Sequence, residues 1–154
     1  MTRSHLAQVN IARLAAPLDS PQLADFVANL QPINAIADAS PGFVWRLQTE
    51  EGDATSLRFS DDEWLIVNMS VWESIEALRD YVYRSAHAGV LRRRQEWFER
   101  MSEAFVALWW VEAGILPTID DARERLAALR ADGPTSYAFT LKQPFPVSRQ
   151  APAP

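Results

Sequence analysis

The chain contains no cysteine. That absence removes disulfides, thiolate metal ligands and a Cys nucleophile together, and it leaves the redox compartment open. Histidine is nearly missing as well: His5 and His87 stand far apart, which argues against a protein-only transition-metal site. There is no glycine-rich phosphate loop, no Gly-x-Ser-x-Gly elbow and no zinc-ligand spacing. Positive charge is in deficit, with a formal net charge of −5, which speaks against a nucleic-acid partner and against an anionic membrane surface. No apolar run resembles a signal peptide or a membrane span. A cytoplasmic location is expected.

What is present is ordinary in amount and unusual in kind. At 154 residues, 48% hydrophobic and 23% charged, the chain fits one globular domain, expected over residues 1–146. The Pro- and Ala-rich stretch 147–154 is expected to be disordered. Six tryptophans supply large apolar area together with donors that want partners when buried. They suit either an aromatic core and dimer interface or a pocket for a flat ligand.

The segment Leu65-Ile66-Val67-Asn68-Met69-Ser70-Val71-Trp72 alternates. Leu65, Val67, Met69 and Val71 fall on one side, and Trp64, Ile66, Asn68, Ser70 and Trp72 on the other. The second side mixes rings with an amide and a hydroxyl, which suits a small-molecule cavity better than a dry core.

Alternation also predicts a strand over Leu6–Leu14, with Ala7, Val9 and Ile11 opposite Gln8, Asn10 and Ala12. A helix is expected over Pro21–Ala39, with Ser20 as its N-cap and Leu23, Phe26, Val27 and Leu30 as its buried stripe. Pro32 should bend or divide it. Phe43–Thr49 is expected to be a strand, 50–62 a loop, and Trp64–Trp72 a strand. A helix follows from Glu73 or Ser74, continuing over Ala86–Arg100 after a break, and then a strand over Phe105–Val111. Pro117-Thr118 opens a helix with the face Ile119, Ala122, Leu126 and Leu129, stopped by Gly133-Pro134. Tyr137, Phe139 and Leu141 alternate as a short last strand. The order implies an α+β fold: a ferredoxin-like split β-α-β antiparallel sheet with an added C-terminal helix and short strand. Helices on one face would leave a bulky apolar sheet face bare, and the expected remedy is a homodimer.

Candidate site residues gather on the polar side. Asn10 lies mid-strand, beside Asn68 if the first and third strands pair; its alternative is a purely structural amide. His87 shares a helical face with Tyr83, Leu91 and Arg94. It suits a general base toward a phenolic proton or an axial haem ligand, and equally a capping or packing group. Tyr81 and Tyr83 offer donors from the same helix. Arg92, Arg93 and Arg94 splay around their helix beside Glu96 and Glu99, so most of that charge belongs to a salt-bridged face. One of them in the cavity, or Arg46, would suit a ligand carboxylate or phenolate. Trp109 and Trp110 must point opposite ways, and Trp72 shares its side with Asn68 and Ser70.

Pro41-Gly42-Phe43 with Trp72-Glu73-Ser74 and Glu76-Ala77-Leu78 resembles the antibiotic-biosynthesis-monooxygenase superfamily of dimeric α+β barrels. Leu6-Ala7-Gln8-Val9-Asn10-Ile11-Ala12-Arg13, Pro41–Leu47, Val71–Ser74, Arg92–Phe98, Ala107–Val111 and Pro144-Phe145-Pro146 make the chain similar to an uncharacterised bacterial family grouped with it. This likeness covers about residues 5 to 146. It implies a dimeric barrel, and it implies that Asn10 holds a substrate oxygen as a first-strand Asn does in several superfamily enzymes. The fold alone does not imply a reaction. Three expectations stand together. The first is a cofactor-independent monooxygenase or cyclase acting on an aromatic or polycyclic substrate. In it Asn10, His87 and Tyr83 would be catalytic, and Asn68, Ser70, Trp72, Arg46 and Arg94 would bind substrate. The second is a haem protein with His87 on iron, although His87 is offset from the Trp-Glu-Ser turn differently than in the superfamily's haem-degrading members. The third is a non-catalytic ligand-binding or assembly module.

Overall fold

The computed structural model describes residues 3–48, 55, 57–84, 89 and 92–147. Its centre is β1 (Ser4–Leu14), whose strict alternation lets both faces be buried at once. β3 (Leu65–Trp72) runs antiparallel along one side of it, with Asn10 directly opposite Asn68 and Gln8 opposite Ser70. β2 (Phe43–Arg46) lies outside β3, with an irregular register between Phe43 and Trp45. The other side of β1 is shared. Residues 4–10 pair with β5 (Val106–Glu112), and Arg13 and Leu14 pair with the two-residue β4 (Phe98–Glu99). All five strands are antiparallel, and the architecture is α+β.

Helices cover both sheet faces. A 3-10 turn at Pro21–Leu23 leads into α1 (Ala24–Ala39). Together with α2 (Ile75–Arg84) and the single turn α3 (Arg94–Trp97), it lies on the face carrying Leu6, Leu14, Trp72 and Leu108. α4 (Ile119–Asp132) crosses the opposite face, setting Ala122, Leu126 and Leu129 among Val9, Met69, Val71 and Trp109. Its start is fixed by a reciprocal cap between Thr118 and Asp121, and its end by Gly133 at φ 73°.

α4 overturns the premise drawn for dimerisation. The face expected to stand bare is occupied by the chain's own C-terminal helix, so its apolar area does not call for a second copy. Smaller differences follow local physics. α1 is continuous through Pro32, which lies on its exposed side, where a freed carbonyl can turn to water. Ser20 is extended but gives no side-chain cap, because its hydroxyl bonds the carbonyl of Pro17. Phe98 and Glu99 leave the expected helix to pair with β1, which brings Phe98 edge-on to Phe26 at 5.0 Å. The last strand reduces to one bridge, where Phe139 and Leu108 exchange both backbone bonds. Residues 50–54 and 56 of the expected loop, the start of the continued second helix and nearly all of the expected tail lie outside the described residues.

Candidate functional site

A cavity of about 460 Å³ separates the polar face of the sheet from α1 and α2. Its floor is set by parity. On β1 and β3 the residues facing α1 and α2 are Gln8, Asn10, Asn68 and Ser70, and all four line the space. Its walls are mostly apolar, with Phe26, Leu30 and Ile33 on α1 beside Asn29 and Asn34, and Leu78, Tyr81 and Val82 on α2.

The floor is a connected network with a direction. The Gln8 amide donates to Asn68 Oδ1 at 2.7 Å and to Ser70 Oγ at 2.9 Å. The Trp72 indole donates to the same Ser70 oxygen at 2.8 Å. Asn10 Nδ2 donates to Asn68 Oδ1 at 3.2 Å and, more weakly, to Gln8 Oε1 at 3.4 Å. Asn68 Oδ1 and Ser70 Oγ therefore each accept twice. The Asn68 NH₂ and the Ser70 hydroxyl hydrogen are left with no acceptor among the described residues. Toward the cavity, β3 presents donors.

Cations complete the lining. Arg46 is held by Asp38 at 2.8 Å, with 11% of its side chain exposed. Arg94 stands over the Phe105 ring, 4.5 Å from its centroid, and 6.0 Å from that of Phe98. It has no carboxylate partner among the described residues, and burial lowers its pKa below the ordinary guanidinium value. Lys142, the only lysine in the chain, lines the space from the C-terminal segment. No Asp or Glu does so among the described residues.

The expected site residues are thus largely brought together: Asn10, Asn68, Ser70, Trp72, Arg46, Arg94 and Tyr83 all border one space. Their exposure differs. Trp72 is fully buried, with Tyr81 stacked on it at 5.0 Å and Phe43 edge-on at 5.5 Å. Its indole therefore supports Ser70 more than it offers an open wall. Tyr83 is 61% exposed. Tyr81 is the more enclosed phenol, and burial pushes its pKa up to about 12. His87, and with it the general-base and haem-ligand expectations, lies outside the described residues. Trp109 and Trp110 do face opposite sides, and neither lines this cavity. Gln8 and Lys142 were not singled out in the sequence. Gln8 shares the parity of Asn10 and was legible on that ground; Lys142 sits on an irregular segment that carries no periodic signal. No group of three His, Asp or Glu is placed to hold a metal among the described residues, and no described helix is long and apolar enough to cross a membrane.

A family model described as a domain of unknown function (DUF3291) matches residues 5–153. No curated protein matches the sequence. Among solved structures, the chain is similar to NE2512, a protein of unknown function from Nitrosomonas europaea. The identity is 15%, over 77% of this chain and 99% of that one, at a TM-score of 0.47. It is also similar to PA3566 from Pseudomonas aeruginosa, with 13% identity over 76% and 99% of the two chains and a TM-score of 0.46.

Proposed function

The chain belongs to the DUF3291 domain family, and on that footing we propose that it binds a small aromatic molecule in the cavity between its sheet and α1 and α2. The observation that carries this reading is the contrast inside one space: mostly apolar walls around a polar floor whose amides and hydroxyl are already oriented. Ligand sites have this composition, with a few placed polar groups fixing orientation within mostly apolar surroundings. A dry core tolerates such groups poorly.

The floor also suits the cofactor-independent oxygenase or cyclase chemistry expected by resemblance to the antibiotic-biosynthesis monooxygenases. Donors aimed at one place would hold an oxygen on which negative charge develops. Tyr81 is a poor base there, since its phenol stays protonated to about pH 12. Proton abstraction would then be the part of His87 or Tyr83, the acid/base groups expected from the sequence. The ferredoxin-like reading of the sheet is supported by β1 lying between β3 and β5 with β2 outermost. A homodimer would have to join elsewhere than across the face that α4 covers.

The test uses N-phenyl-1-naphthylamine, an uncharged aromatic dye that brightens in apolar surroundings. Saturable binding is expected, and Leu30→Trp, which fills the space from α1, should weaken it at least tenfold without lowering Tm. Equal binding by wild type and Leu30→Trp, or no binding at all, removes the proposal.

A further inference from the structure

The lining has a sign. Three cationic side chains border the cavity and no Asp or Glu does so among the described residues, in a chain of net charge −5. Arg46 is compensated by Asp38, whereas Arg94 and Lys142 have no carboxylate partner among the described residues. A surface guanidinium without a carboxylate is common, because water compensates it. Arg94 is half-buried between two aromatic rings, where that compensation is reduced. The β3 side of the floor points the same way. Gln8 and Trp72 saturate Ser70 Oγ, and Gln8 and Asn10 saturate Asn68 Oδ1, so the groups left over on β3 are hydrogens. Hydrogens read acceptor oxygens. On β1 the Asn10 Oδ1 accepts nothing among the described residues, so the donor edge of the floor is that of β3, and a ligand there meets it through acceptor oxygens.

We infer that the ligand class is an aromatic anion: its ring lies against the apolar residues of α1 and α2, and its anionic oxygens meet the Asn68 NH₂, the Ser70 hydroxyl and the Arg94 guanidinium. This deepens the proposed function and rests on it, adding the charge of the ligand to its shape. Arg94 is suited to the part because a guanidinium presents a planar fork of donors to an oxyanion and keeps its charge when partly desolvated.

A matched pair of dyes separates the two claims. 8-Anilinonaphthalene-1-sulfonate carries the ring system of N-phenyl-1-naphthylamine plus one sulfonate. The wild-type protein should bind the sulfonate about tenfold more tightly than the uncharged dye, the scale of one charge-assisted hydrogen bond. Arg94→Met keeps the length and the contacts with Phe98 and Phe105, and should bring the ratio of the two affinities close to one. Arg94→Lys should retain most of the preference. Near-UV circular dichroism matching wild type confirms that each variant is folded. If the two dyes bind wild type equally, or if Arg94→Met keeps the preference, the anionic assignment is overturned while the aromatic cavity stands. If neither dye binds, the cavity reading falls and takes this inference with it.

Discussion

Gln8 governs the polarity of the cavity floor, although a glutamine in a strand reads at first as a surface residue. It is 5% exposed, and its two amide hydrogens are spent on Asn68 and Ser70. That choice decides which of their atoms face the cavity. The pairing of Asn10 with Asn68 was legible, because period-two alternation on two antiparallel strands puts like faces together. Hydrogen-bond direction was not, since it depends on three amides and an indole meeting at once. Tyr81 offers a test at the same scale. Burial, the larger influence over its charged neighbours Arg46 and Asp38, raises its pKa from 10.0 to about 12. A phenol whose folded pKa lies above its unfolded value contributes its full stability below pH 10. That contribution is lost as pH rises from 10 toward 12, because the unfolded chain ionises first. Tm measured from pH 9 to 12 should therefore fall more steeply for wild type than for Tyr81→Phe. Parallel curves for the two proteins would show that Tyr81 ionises freely.

Among the elements, the turn into β2 and the start of α2 form one knot that explains a sequence motif in physical terms. Gly42 sits at φ 80°, a region that favours glycine. A methyl group there would stand 2.6 Å from the Cβ of Ala77 on α2. Its carbonyl accepts from the backbone of Glu73 at 2.7 Å, Ser74 Oγ accepts from the backbone of Ala77, and Phe43 lies edge-on to Trp72. Pro41-Gly42-Phe43, Trp72-Glu73-Ser74 and Glu76-Ala77-Leu78 are thus three parts of one packing contact. Gly42→Ala should destabilise the protein by about 1–3 kcal/mol, through backbone strain and overpacking together. Adding Ala77→Gly should restore only part of that, since it removes the clash and leaves φ unchanged. Urea unfolding of the single and double variants measures both; full rescue would mean that the positive φ costs nothing. The apolar stripe of α4 was likewise legible in Ala122, Leu126 and Leu129, and its stop in Gly133. The face of the sheet it would choose was not. Amphipathic periodicity states which side of a helix is buried and not what it is buried against.

For the whole molecule, the decisive matter is that both sheet faces are spoken for within a single chain. α4 seals one of them over Val9, Met69 and Trp109. α1 and α2 stand off the other and leave the cavity. Had the back face been bare, a barrel formed by two copies would have been the economical way to bury it, and the binding space could have been shared. With α4 in place, every described residue of the floor, the walls and the cationic lining comes from one protomer. Binding should then show one ligand per chain, with an affinity that does not change as protein concentration is varied from well below to well above micromolar. Self-association through another surface would leave that result intact, because it would not touch the cavity. Titration with the anionic naphthalene dye at several protein concentrations, beside light scattering on the same samples, tests the point. A stoichiometry of one dye per two chains, or an affinity that strengthens as dimers accumulate, would mean that a second copy completes the site and that α4 does not hold the back face closed in solution.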